Sequence, residues 1–287
     1  MKMEKGIIIN QAAFRERVER ISNLPTLPNL LEKFNEMIKD PSISMDTLGR
    51  ELSKDQAITS KLLKLVNSAF YGFPGRISTL THALVLLGYD ALKGLIITSS
   101  IFENLSPDAY PLWRHSIAVS LASRAIATTL SLQDREEFAV AGLLHDIGKV
   151  ILHIEAGKEY REVINHAKAS GQPLWMAESE ILGFDHATIG LWICKEWTLP
   201  AKLATPIGYH HTPGEAPEHA RRVAVVSLAD ILVRGMGSGA EDDLPLEPAD
   251  PFIEKEIPLT LQLMEKLVEK IEPDIESVKD LVPEDVQ

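Results

Sequence analysis

His145-Asp146-Ile-Gly-Lys149 is the stretch whose residue types could do chemistry most directly. An imidazole nitrogen beside a carboxylate is the pair that borderline first-row metals accept. Lys149 follows Asp146 by three residues, which on a helix places it on the same side, where its ammonium could hold a phosphate beside the metal. Taken alone, the pair also fits a buried histidine hydrogen-bonded to its neighbour, so the rest of the chain must decide. His115 sits among apolar residues in Leu112-Trp-Arg-His-Ser-Ile-Ala-Val near a helix start, where each buried nitrogen needs a partner. His186 follows Phe184-Asp185 at another helix-start signal, and His210 and His211 are paired after Ile207-Gly-Tyr. Asp230 follows the apolar run Val223-Ala-Val-Val-Ser-Leu-Ala, where a charge wants a cation or hydrogen-bond donors. Each position otherwise asks for a core residue, and together they form a candidate metal-ligand set. His82, His153, His166 and His219 lie in ordinary polar or helix-face contexts and read as structural.

The elements that must position these residues are helices. Strand signals are few, whereas apolar residues recur at helical spacing, as in Leu30, Leu31, Phe34 and Ile38, and again in Ile58, Leu62, Leu65, Val66 and Ala69. The expected fold class is all-α, with two packed helical lobes. Pro28 suits a first helical turn, Ser44 and Asp55 are N-cap candidates, and Gly72 to Gly75 breaks the pattern. The first lobe is expected over residues 14–105. Ser106-Pro107-Asp108 is a turn signal, and the helical patterns that follow give a second lobe over residues 106–234. Residues 235–287 read as a Gly-rich, acidic connection followed by a last helix, whose stripe of Leu261, Met264, Leu267, Val268 and Ile271 docks on the body or on a partner. His210 and His211 carry a geometric requirement, because helical neighbours point about 100° apart and can face one metal only near a helix end. Pro213 and Gly214 supply that end.

Composition narrows the function classes. The 287 residues are 45% hydrophobic and 24% charged, ordinary for a globular chain. Asp and Glu number 41 against 29 Lys and Arg, a net charge of -12 that argues against binding duplex nucleic acid. Cys194 is the only cysteine, so no intrachain disulfide can form, and a thiolate-built metal site within the chain is excluded. The apolar part of the N-terminal stretch is too short for a secretory signal, and no apolar run approaches the ~18 residues of a membrane span. Membrane attachment is not expected, and the cytoplasm is the expected location.

The order His115, His145-Asp146, His186, His210-His211, Asp230 resembles the dinuclear members of the HD superfamily of metal-dependent phosphohydrolases. The resemblance implies that His115, His145, Asp146 and Asp230 hold one divalent ion, and that Asp146 bridges to a second held by His186, His210 and His211. With nitrogen and oxygen ligands only, iron or manganese is favoured, with zinc and magnesium compatible. Two such ions could activate a water and clamp a phosphoester. Asp146 and Lys149 would then be the residues on which hydrolysis turns, and a phosphorylated small molecule or nucleotide would be the substrate.

Upstream, Leu24-Pro-Thr-Leu-Pro28, the run from Asp55 to Tyr71 and the run from Ile77 to Gly88 resemble the HDOD domain, a bacterial signalling module. That resemblance implies a signalling protein partner. It leaves a non-catalytic module with a structural metal site as the alternative, since many HDOD proteins lack part of the ligand set that this chain keeps. HD-GYP phosphodiesterases carry a Glu and a Gly-Tyr-Pro signature after their paired histidines. Here Thr212-Pro-Gly-Glu-Ala-Pro follows instead, so poor or absent cleavage of cyclic di-GMP is expected. Trinuclear members place a Glu four residues before the first His, and Pro111 stands there, so at most two metals are expected.

Overall fold

The computed structural model describes residues 14–17, 27–40, 42–67, 77–102, 107–239 and 248–278. Among the described residues there is no strand, as the helical spacing of the apolar residues requires. The helices are α1 (Leu27–Ile38), α2 (Met45–Leu52), α3 (Gln56–Asn67), α4 (Leu80–Leu87), α5 (Tyr89–Phe102), α6 (Tyr110–Thr129), α7 (Arg135–Leu144), α8 (Ile147–Ser170), α9 (Leu174–Leu182), α10 (His186–Glu196), α11 (Ala201–Tyr209), α12 (Ala220–Gly235), α13 (Pro251–Glu256) and α14 (Leu261–Val278).

Local chemistry sets several of these starts. Pro28 occupies the first turn of α1. Ser44 caps α2 by accepting a hydrogen bond from the Thr47 amide, and α3 begins directly after Asp55. The expected break at Gly72 to Gly75, Ala69, the 105–106 boundary and most of the acidic connection lie outside the described residues. So do the side chains of Leu30, Leu31, Ile58 and Leu65, whereas Phe34, Leu62 and Val66 are buried as expected.

α6 is the pillar of the molecule. Leu112, Trp113, His115 and nearly every residue on to Ala127 are buried, so the helix is enclosed on all sides. It packs against α7, α12 and α14. α7 in turn meets α11 and, from the first half of the chain, α5. The buried apolar residues form one continuous cluster running from Phe14 to Val278. Polar links reinforce the contact between halves. Lys202 on α11 bridges Asp90 on α5 and Glu137 on α7, at 2.6 Å each. Lys93 on α5 donates to Asn35 Oδ1 on α1 and to the Thr198 carbonyl after α10, also at 2.6 Å each.

The stripe of α14 differs from its expected form. Leu267, Ile271, Ile275 and Val278 are buried, while Leu261 and Val268 are exposed. The docked face continues toward the C-terminal end of the helix, which packs against α6. No single helix among the described residues is long and apolar enough to cross a membrane, although the pair Leu80–Leu87 and Tyr89–Thr98, bent by 118°, passes on length and composition together.

Candidate metal centre

Every ligand candidate sits at or near a helix end or on an enclosed helix, and the packing brings them all together. α7 ends at Leu144 with His145 as its C-cap, and Asp146 is the N-cap of α8, so the His-Asp pair occupies the joint between two helices. Asp at an N-cap ordinarily accepts a backbone hydrogen bond, but the Asp146 side chain makes no such bond and points into the cluster. His186 is the first residue of α10, held by Asp185, whose side chain accepts from the Thr188 amide. α11 ends at Tyr209 and His210 is its C-cap, which lets His210 and His211 turn toward one point as the Pro213-Gly214 stop requires. His115 projects from α6 and Asp230 from α12.

The two oxygens of Asp146 face different partners. Oδ2 lies 3.3 Å from His145 Nε2 and 3.7 Å from His115 Nε2, and Asp230 Oδ1 lies 3.0 Å from the same His115 nitrogen. Oδ1 lies 3.2 Å from His186 Nε2 and 3.6 Å from His210 Nε2, and His211 Nε2 stands 2.9 Å from His186 Nε2. Thus His115, His145 and Asp146 form one group that could hold a metal ion, and His186, His210 and His211 form a second. Lys149 Nζ is 2.9 Å from Asp146 Oδ2. All of these side chains are buried except that of His211, which is partly exposed and stacks on Trp175. His153 lies on the helix that Asp146 caps but packs edge-on against Tyr160, outside the cluster.

The tautomers can be read from the outer contacts. Nδ1 of His115, His145 and His210 faces the carbonyls of Ser238, Gly142 and Ile207, at 2.9, 2.7 and 2.9 Å, and His186 Nδ1 faces Glu178 Oε2 at 2.6 Å. Each partner is an acceptor, so Nδ1 is the donor in every case and, in the neutral ring, Nε2 presents a lone pair to the cluster. Ring Nε2 atoms and carboxylate oxygens therefore converge in a buried space. His145 Nε2, both Asp146 oxygens and Asp230 Oδ1 make no hydrogen bond of good geometry. Buried acceptors gathered in this way are costly unless cations offset them, and Lys149, 2.9 Å from Asp146 Oδ2, is one such cation. The donor set, nitrogen and oxygen only, suits divalent metals.

The titration behaviour fits this account. Burial works to raise Asp146, but its neighbours His145 and Lys149, with His186 beside them, hold it well below its usual value. Burial likewise works to raise Asp230, and His115, His145 and Arg234 override it to hold the acid ionised. Burial works to lower His186, yet chiefly Glu178 pushes it up to about 10. Burial lowers His210 and, reinforced by His210 and His186, carries His211 well below its usual value.

Several contributors escape a search for metal-ligand residue types. Glu178 on α9 is fully buried and takes hydrogen bonds from the His186 ring, the His186 amide and the Tyr160 hydroxyl. Its one sequence signal is a charge on an otherwise apolar stripe, Leu174, Ala177 and Leu182. Arg234, one helical turn beyond Asp230, stands 3.6 Å from its Oδ2. A cavity of about 40 Å³ adjoins the cluster, lined in part by His210, His211, Asp230, Arg234, Asp250 and Ile253.

A family model described as HDOD domain matches residues 24–213. The chain is similar to the crystal structure of an HDOD domain protein of unknown function from Geobacter sulfurreducens, with a TM-score of 0.72, 26% identity, and 95% of this chain and 98% of that one covered. It has the same fold as a candidate phosphohydrolase from Shewanella amazonensis SB2B, with a TM-score of 0.68, 23% identity, and 95% and 99% covered. An uncharacterized protein of Treponema pallidum (strain Nichols) is 24% identical over 221 residues, 75% of this chain and 43% of that one, so the chain spans less than half the length of this relative.

Proposed function

The chain belongs to the HDOD domain family, and from that premise we propose that it is a signalling protein whose buried histidine and aspartate cluster holds two divalent ions and hydrolyses a phosphoester. The observation that carries this reading is the convergence of ring Nε2 atoms with the Asp146 and Asp230 oxygens, with His115, His145, His186 and His210 held from behind at Nδ1, so that Nε2 faces the cluster. His115, His145, Asp146 and Asp230 would hold one ion. Asp146, His186, His210 and His211 would hold the other. Iron or manganese is favoured by the ligand types, and zinc or magnesium is compatible. When bound, two ions on a shared carboxylate lower the pKa of a water and neutralise charge on phosphoester oxygens.

The chain's own residues do the rest. Asp146 divides its oxygens between the two groups, and Lys149, beside it at 2.9 Å, is the cation within reach of a nonbridging phosphate oxygen. Burial of the cluster excludes bulk water and strengthens each of these charges. The substrate is a phosphorylated small molecule or nucleotide, and the setting is the bacterial cytoplasm. Duplex nucleic acid and membranes are not partners in this reading. The test is turnover of bis-p-nitrophenyl phosphate and p-nitrophenyl phosphate by chelator-stripped protein reloaded with manganese or iron(II). Metal-dependent release of nitrophenol that Asp146→Asn abolishes supports hydrolysis, and no release by the metal-loaded protein contradicts it.

A second reading is favoured by the burial of the cluster, in which His211 alone of the ligand candidates is partly exposed. In that reading the ions are structural, and the first half of the chain, tied to the metal-bearing helices through Asp90–Lys202 and Lys93–Thr198, presents a shape that a signalling protein reads. Full metal loading without turnover of any phosphoester distinguishes it.

A further inference from the structure

Resting on the reading of this cluster as a dinuclear centre, we propose that Glu178, pinned by Tyr160, is a positioning residue for the second ion only. Glu178 lies on α9, which contributes no ligand candidate, and it is fully buried. A carboxylate in that position needs a reason, because burying it is costly unless it is fully hydrogen-bonded. Its contacts supply one. Oε2 accepts from His186 Nδ1 at 2.6 Å and from the His186 amide at 2.8 Å, so ring and backbone of one residue are gripped by one oxygen. Oε1 accepts from the Tyr160 hydroxyl at 2.7 Å, which fixes the carboxylate plane from α8. The contact at Nδ1 leaves Nε2 as the coordinating nitrogen and raises its basicity.

The selectivity follows from what backs the other rings. His115, His145 and His210 are held by backbone carbonyls, which are neutral. His186 alone among these is backed by a carboxylate, and it belongs to the group with His210 and His211. Trp175, three residues before Glu178 and hence on the same side of α9, stacks on His211 with ring centroids 5.7 Å apart and planes 16° apart. One helix thus braces two histidines of the same group.

The experiment is a manganese titration of chelator-stripped wild type, Glu178→Gln and Tyr160→Phe, with free ion followed by electron paramagnetic resonance and helicity by circular dichroism. Glu178→Gln keeps shape and loses the charge, and Tyr160→Phe removes only a hydroxyl. Wild type is expected to take up two ions. Both variants are expected to keep the first at wild-type affinity and bind the second roughly 10–100-fold more weakly, the larger loss in Glu178→Gln. A wild-type isotherm in both variants overturns the proposal, as does equal weakening of both ions in folded protein. If Glu178→Gln does not fold, Tyr160→Phe decides by the same criterion. Wild type that binds no manganese at all is a different outcome, since it removes the dinuclear reading itself and the proposal with it.

Discussion

Lys149 Nζ stands 2.9 Å from Asp146 Oδ2, and both side chains are sealed from solvent. Without metal, Lys149 is the fixed positive charge nearest the carboxylate placed between the two ligand groups. In the proposed dinuclear reading, bound ions would take over that role and leave the ammonium for substrate.

Lys149→Met should therefore behave differently in the two states. Breaking a buried pair costs on the order of 3–5 kcal/mol, so the melting midpoint of the stripped variant should fall by roughly 6–20 °C. Saturating manganese should narrow the gap, with metal content unchanged. Thermal melts of wild type and variant, each with and without manganese, make the comparison, and an equal deficit in both conditions would count against the proposed exchange of roles.

Metal uptake should release a proton. Despite its burial, His186 is pushed up to about 10, chiefly by Glu178, so near pH 8 the metal-free protein carries a proton on this ring, close to Asp146 Oδ1 and His211 Nε2. An ion needs that lone pair, and loading must expel about one proton per chain. The sign for stability follows from the same shift. A raised histidine pKa contributes stability that is fully present below 6.5 and lost as pH climbs through about 10. Indicator-dye measurements in weak buffer should show the release on adding manganese to wild type at pH 8, and none for His186→Ala. Silence in metal-binding wild type would refute it.

Much of this architecture was legible in the residues, for identifiable reasons. A helix enclosed on all sides must be apolar all round, so His115 within α6 stood out as a group needing a partner. Asp230 did so on α12, and the helix ends around His186 and His210 were announced by Asp185 and Pro213. What backs the ligands was not legible, because backbone carbonyls carry no residue-type signal and Glu178 meets His186 only through the packing of α8, α9 and α10. Gly148 shows the same limit. A Cβ there would collide with the His186 carbonyl, so the glycine of His145-Asp-Ile-Gly-Lys149 lets α8 approach α10 and join the two ligand groups. Leu261 and Val268 of the expected α14 stripe are exposed, since periodicity gives a face but not where along the helix the contact begins.

Lys93 gives a pH test of the contact between the halves. Burial lowers its pKa from 10.5 to about 8, and the neutral amine still has hydrogens for Asn35 Oδ1 and the Thr198 carbonyl. Between pH 8 and 10.5 the unfolded chain binds the proton that the folded one has given up, so stability from this group rises with pH. Relative to Lys93→Met, wild type should gain on the order of 3 kcal/mol across that window. Urea midpoints at pH 7.5 and pH 10.5 measure it, and a difference independent of pH would contradict the shift.

The central claim is that Asp146 lies between two ions, and anomalous diffraction at the manganese edge from crystals of manganese-loaded protein tests it most directly. The account predicts two peaks per chain, one among His115, His145, Asp146 and Asp230 and one among Asp146, His186, His210 and His211, with both lost in crystals of folded Asp146→Ala. Crystals of folded wild type soaked in manganese that show no anomalous peak within this cluster would contradict it.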